Sequence, residues 1–171
     1  MISIIKAKKG DFHLLADLGK TTLIESHWSS AAAEDISIYV DKNYSYQAVE
    51  AELDVAKNLY HIIYFEKKAV GYSKIVLNAW HSNVRLKNVA KLDRLYLLKE
   101  FYGLKLGFAL FDFNVALSKR YNQAGMWLFV WQGNRRAIDF YQKMGFQITG
   151  NYDFKLSENH SNSSHQMLLI Y

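Results

Sequence analysis

The stretch that most constrains this chain runs from residue 91 to residue 146. Lys91–Leu98 is a β-rich run that leads into the turn Gly103-Leu104-Lys105-Leu106-Gly107. Leu106, Leu110, Phe113 and Leu117 then follow at intervals of four, three and four, the spacing of one helix face. Met126–Trp131 alternates bulky residues as a strand does, and Asn134–Met144 reads as a short helix. Asn134 is placed to cap that helix and Gly145 to stop it in the left-handed conformation. Strand, glycine turn, helix, strand, helix is a sequence of elements that buries its apolar sides only as helices against a sheet.

The flanks extend the same pattern. Ile2–Ala7 reads as a strand. A helix follows from Asp11, with Leu14, Leu15 and Leu18 on one face, and a second is expected over Tyr46–Asn58. Residues 25–45 give no clear period. His61–Phe65, the turn Glu66-Lys67-Lys68 and Ala69–Leu77 read as a hairpin. Two late strands are expected at Phe146–Phe154 and His165–Tyr171, with the polar run Ser157–Ser164 as the loop between them. The 171 residues contain no Pro, no repeat and no low-complexity linker, so one domain spanning 1–171 is expected.

Composition removes several function classes. There is no Cys, hence no disulfide and no thiolate chemistry. The six histidines (13, 27, 61, 81, 160 and 165) lack metal-site spacing, so no metal is expected. Neither a G-x-S-x-G elbow nor a phosphate-binding Walker loop is present. No apolar run is long enough for a membrane span or a signal peptide, which makes the cytoplasm the expected location, with no membrane partner. The net charge of +5 is unevenly spread. Residues 1–60 hold nine acids against six bases, and residues 25–54 hold Glu25, Glu34, Asp35, Asp41, Glu50, Glu52 and Asp54 against Lys42 alone. This asymmetry suits two ligands of opposite charge. Basic residues form no run longer than a pair, as at Lys119-Arg120 and Arg135-Arg136, too sparse for a nucleic-acid partner.

Chemistry concentrates in two segments. A strand ending in a glycine turn and a helix start gathers unpaired N–H groups and the positive end of a helix dipole, an anion site. In the second segment, Asn134, Ala137 and Tyr141 sit at i, i+3 and i+7 on one helix face, with Phe140 and Met144 on the neighbouring face.

That second segment closely resembles the closing motif of the GCN5-related N-acetyltransferase (GNAT) family, N-x-x-A-x-x-F-Y-x-x-x-G-F. Asn134, Ala137, Phe140, Tyr141, Gly145 and Phe146 all fall in place. The turn resembles the family's pyrophosphate loop, Q/R-x-x-G-x-G/A, with three departures: Tyr102 at the first position, Lys105 where Gly is usual, and Lys99 where Pro often stands. The Lys105 side chain either crowds a pyrophosphate or pairs with it.

The resemblance implies an α/β fold of the GNAT type, a mixed, mostly antiparallel sheet flanked by helices on both faces. It implies acetyl-CoA as cosubstrate and a small-molecule amine as acceptor. Leu95, Tyr96 and Leu97 are implied to pair with the pantetheine arm. Tyr102, Gly103, Leu104, Lys105, Leu106, Gly107 and Phe108 are implied to hold the pyrophosphate, and Asn134, Ala137, Tyr141 and Lys143 to complete the cofactor site. Tyr141 is implied as the general acid that protonates the leaving thiolate. For the base, Asp93 and Glu100 are the nearest carboxylates, with a water chain as the alternative.

The acceptor stays open. Asp93-Arg94-Leu95-Tyr96, Gly71-Tyr72-Ser73-Lys74 and Trp127–Trp131 resemble the polyamine-acetylating branch, and the acidic window fits spermidine or spermine. A protein or peptide amine is the alternative, as is a non-catalytic regulator that binds CoA, motivated by Lys105. An aromatic-rich surface is compatible with a homodimer.

Overall fold

The structure is a computed structural model and describes Met1–Tyr171. Its elements are β1 (Ile2–Lys6), α1 (Phe12–His27), α2 (Ala33–Tyr44), α3 (Tyr46–Leu53), β2 (Asn58–Phe65), β3 (Lys68–Val76), β4 (Val89–Leu97), α4 (Leu106–Arg120), β5 (Gly125–Trp131), α5 (Arg135–Lys143), β6 (Gln147–Lys155) and β7 (Ser161–Ile170). The strands form one sheet in the order β1-β2-β3-β4-β5-β7-β6. Every neighbouring pair is antiparallel except β4 and β5, which run parallel because α4 carries the chain back between them.

Helices cover both faces, as expected. On one, Leu15, Leu18, Ile36, Val40 and Val49 from α1, α2 and α3 pack on Tyr60, Ile62 and Tyr72. On the other, Leu106, Leu110 and Phe111 of α4 and Ile138 of α5 pack on Ile63, Ile75, Leu92 and Leu128. Leu110 is fully buried, a burial that contributes about 2 kcal/mol. Gly19 lets α1 close on α2: a Cβ there would lie 2.1 Å from Tyr44 Cδ1.

Four local expectations change. Residues 33–44, left without an assignment, are a helix whose Ile36, Val40 and Tyr44 recur every four residues towards the core. The second helix, expected to run to Asn58, ends at Leu53, and Asn58 already belongs to β2. The loop expected over Ser157–Ser164 is shorter, since Ser161–Ser164 extend β7. Asp11 does not cap α1 through its side chain; its Oδ2 accepts the Lys8 N–H at 2.7 Å instead. The Asn134 cap is as expected, with Oδ1 accepting the Ala137 N–H at 3.1 Å, and Gly145 stops α5 at φ +97°.

Candidate active site

The site begins where the sheet comes apart. β4 pairs with β3 as far as Leu97, but with β5 only over Val89–Lys91 against Gly125–Trp127. Beyond Lys91 the two parallel strands diverge. The side of β4 that would have met β5 therefore carries unpaired backbone groups along Leu95–Leu97, which need a partner. A bulge in the β3–β4 ladder lies just before them. Lys74 pairs with Arg94 and Ile75 with Leu92, so Asp93 is the extra residue, without an opposite number.

A cleft of about 210 Å³ fills this gap. Leu95, Tyr96, Leu97, Tyr102, Gly107, Asn134, Ala137 and Tyr141 line it, together with Asp93. At its mouth the α4 helix begins. Lys105 precedes it in the left-handed conformation, φ 59° and ψ 12°, which places a side-chain-bearing residue where glycine is easier to accommodate. The first α4 hydrogen bond is Ala109 N–H to Lys105 O, so the N–H groups of Leu106, Gly107 and Phe108 have no partner in the helix. A Cβ on Gly107 would meet only Leu97, at 3.6 Å, and so would point into the cleft. Free donors at a helix start beside a bare glycine fit a pyrophosphate, and the unpaired β4 edge fits an amide-bearing arm.

The remaining expected residues lie elsewhere. Leu106 is core; Leu104 and Phe108 are exposed. Gly103 and Lys105 form the turn and lend backbone rather than wall. Lys143 is exposed on α5, away from the cleft. Arg136, which the sequence did not single out, lines the mouth with its guanidinium 3.6 Å from the Tyr102 ring centroid and ties α5 to the turn.

Tyr141 faces the cleft from α5. Its ring packs against Phe140 and Phe146, with centroids 5.4 and 5.5 Å away. Burial drives its hydroxyl well above the ordinary tyrosine range, and Arg136 offsets part of that. It is therefore a protonated donor throughout the physiological range.

A second, smaller cavity of about 90 Å³ continues the cleft on the other side of β4 and shares His27, Asp93, Arg94, Tyr96, Phe129 and Trp131 with it. Leu23 of α1, Tyr39 and Tyr44 of α2, Lys91 and Leu92 of β4, Phe154 of β6, Leu156, and Asn162 and Ser164 of β7 complete its walls. Phe154 packs edge-on against Tyr39 at 5.8 Å, joining the two sides.

Under this cavity lies an ionic cluster. Asp93 is 2.9 Å from Lys74 Nζ and 2.7 Å from Lys91 Nζ. Burial pushes the Asp93 carboxyl up, but Lys91, Lys74 and Arg94 together outweigh it and hold the group well below the usual carboxylate range. Arg94 is buried, gripped by Glu52, hydrogen-bonded to the Tyr60 hydroxyl at 2.6 Å and stacked 4.5 Å from the Tyr44 ring centroid. Tyr60 in turn hydrogen-bonds Glu52. The cluster counts three cations (Lys74, Lys91 and Arg94) against two carboxylates, Asp93 and Glu52.

The acidic window does not converge on this cavity. Glu25 accepts the Lys99 N–H, Asp35 the Ser157 hydroxyl, Asp54 pairs with Lys9, and Glu52 is held by Arg94. Glu100, the other candidate base, pairs with Lys68 on the surface. Sequence reasoning missed the walls of the second cavity from α1, α2, β6 and β7, because no local period marks residues that meet only across the fold. Among the histidines, His27 alone lines both cavities. No group of three or more His, Asp or Glu is arranged to hold a metal ion.

A splayed parallel pair, a helix start with free donors and a tyrosine facing the gap suit an acyl-group transferase whose donor carries a pyrophosphate and an amide-bearing arm. Residues 23–146 match the acetyltransferase (GNAT) family, and the chain belongs to it. It is an N-acetyltransferase with acetyl-CoA as cosubstrate. An uncharacterised N-acetyltransferase of Mycobacterium bovis is 29% identical over 133 residues, 78% of this chain and 81% of that protein. The PaiA N-acetyltransferase of Thermoplasma acidophilum, solved in complex with coenzyme A, shares the fold at a TM-score of 0.81 and 20% identity, over 100% of this chain and 99% of that one. A spermidine N-acetyltransferase of Vibrio cholerae shares it at 0.71 and 16% identity, over 99% and 93%.

Proposed function

We propose that the chain acetylates a small amine held in the aromatic cavity, by direct attack on the acetyl-CoA carbonyl, with Tyr141 as the acid for the departing sulfur. The observation that carries this is the position of Tyr141: it faces the gap between β4 and β5, on the cleft that joins the free β4 edge to the acceptor cavity. Acetyl-CoA supplies the activated carbonyl and the leaving thiolate.

The protein's part is orientation, desolvation and proton transfer. The Leu95–Leu97 edge and the free N–H groups at the start of α4 hold the donor in register. The Asn134 side chain fixes the first turn of α5 and thereby the Tyr141 hydroxyl. An alkyl amine with a pKa near 10 is about 99.9% protonated at pH 7, and freeing its lone pair costs about 4 kcal/mol. Aromatic walls lower that cost by disfavouring the ammonium form. Asp93, ionised and already paired with Lys74 and Lys91, has little affinity for the amine's proton.

Acceptors with several ammonium groups draw support from the fold shared with the Vibrio cholerae enzyme and from the acidic window. The pairings of Glu25, Asp35, Glu52 and Asp54 weigh against them, because a polycation needs spaced carboxylates that are free. A monoamine with an apolar body matches the six aromatic walls better.

The test is free-thiol release from acetyl-CoA with spermidine, arylalkylamines, amino acids and short peptides. Release with a monoamine supports the reading. Release with spermidine alone replaces the acceptor class, and CoA binding without release on any amine removes the enzymatic reading.

A further inference from the structure

His27 ends α1 at the junction of the two cavities, with its ring between Tyr96 at 6.3 Å and Trp131 at 6.0 Å. Its Nδ1 lies 2.8 Å from Ser26 Oγ. The single Ser26 hydroxyl proton has the carbonyls of Thr22 and Leu23 within reach, at 2.8 and 3.1 Å, and those groups can only accept. The oxygen is thus left to accept from His27 Nδ1–H. That fixes the tautomer and leaves the Nε2 lone pair free, with no protein partner. The nitrogen is also not among the sealed, unpartnered polar atoms of the interior.

We infer that His27, through Nε2, is the base that takes the proton from the acceptor amine. This rests on the acetyl-transfer reading above. The junction is where an amine in the small cavity would meet a thioester in the large one. The other ionisable groups facing it do not compete for the role. On β4, Asp93 is bound by Lys74 and Lys91, and Arg94 by Glu52. Tyr39 and Tyr44 on α2, Tyr96 on β4 and Tyr141 on α5 are all pushed above the ordinary tyrosine range by burial. On α1 itself, Glu25 is taken by the Lys99 N–H. Arg136 of α5 stacks on Tyr102. β6 and β7 present only Phe154, Asn162 and Ser164.

Burial lowers the His27 pKa from its ordinary value, with the Leu23 carbonyl offsetting part. The ring is therefore neutral at pH 7, and its imidazolium gives up a proton readily. The protons balance: the ammonium loses two as nitrogen bonds to the carbonyl carbon and the carbon–sulfur bond breaks. One ends on sulfur by way of Tyr141, which regains its own, and one leaves through His27 to water.

The experiment is the pH dependence of kcat/KM for whichever amine the wild type acetylates, measured for wild type, His27→Gln and Ser26→Ala. The wild type is expected to show an acid limb below pH 6.5. His27→Gln is expected to lose that limb and about 100-fold in kcat/KM, with the KM for acetyl-CoA unchanged. Ser26→Ala, which keeps the ring packing and carries the test should His27→Gln not fold, is expected to move the limb. An acid limb unchanged in Ser26→Ala and in folded His27→Gln overturns the assignment while leaving acetyl transfer standing. A wild type that binds CoA but acetylates no amine removes acetyl transfer and this assignment with it.

Discussion

Arg94 on β4 and Glu52 at the end of α3 meet as a fork, Nη1 to Oε2 at 3.1 Å and Nη2 to Oε1 at 3.3 Å. The pair pins the helical layer on the acceptor side to the strand that carries Asp93, Tyr96 and the cofactor edge. Glu52→Gln is expected to leave a buried guanidinium without its counter-charge. The cost is about 3 kcal/mol, at the low end for a buried pair because Glu52 keeps 28% side-chain exposure. Chemical denaturation of the variant checks this.

Tyr141→Phe keeps the ring contacts with Phe140 and Phe146 and removes only the hydroxyl. The expected result is a loss of about 100-fold in kcat with little change in melting temperature or in the KM for acetyl-CoA. Steady-state thiol release alongside a thermal melt separates the two effects. A variant with full turnover would show that sulfur takes its proton from water.

Lys105 is held at φ 59°, a conformation that costs a side-chain-bearing residue about 1 kcal/mol and glycine nearly nothing. Lys105→Gly is expected to raise stability by up to that amount. If the ammonium pairs with the pyrophosphate, the same variant binds CoA more weakly and with a shallower salt dependence. Calorimetric titration at two ionic strengths measures both.

His61 of β2 is buried against Phe113, and its Nδ1 has no partner. Burial, aided by Lys6, lowers its pKa to about 4, against 6.5 for the ordinary group. Between these values the unfolded chain binds a proton that the folded one does not. Stability is therefore expected to fall as pH drops from about 6.5 towards about 4, and to be insensitive to this group above 6.5. Denaturant midpoints across that window should flatten in His61→Phe.

What the sequence disclosed was what is local. The cap, stripe and stop of α5 sit within a dozen residues and each acts on its neighbours, so that half of the site could be read directly. The α2 helix was hidden because Ala32 offers no capping side chain and the stripe of Ile36, Val40 and Tyr44 is narrow. Ser161–Ser164 looked like loop because they are polar. They are strand, and Asn162 and Ser164 are polar while buried because they line the acceptor cavity. The role of His27 depends on Trp131 and Tyr96, which reach it only once the sheet has formed.

The bulge at Asp93 works as a phase shift in the alternation of β4. Before it, Val89 and Lys91 point to the acceptor face; after it, Arg94 and Tyr96 do, while Leu92, Leu95 and Leu97 turn to α4. Were Asp93 instead drawn into regular pairing with β3, with no bulge to absorb it, everything beyond it would be rotated by half a turn. Arg94 and Tyr96 would trade places with Leu95 and Leu97, so charge and phenol would enter the α4 core while leucines faced the amine. Both ligands thus depend on one residue standing out of register, which makes this irregularity of the strand as much a part of the site as any side chain on it.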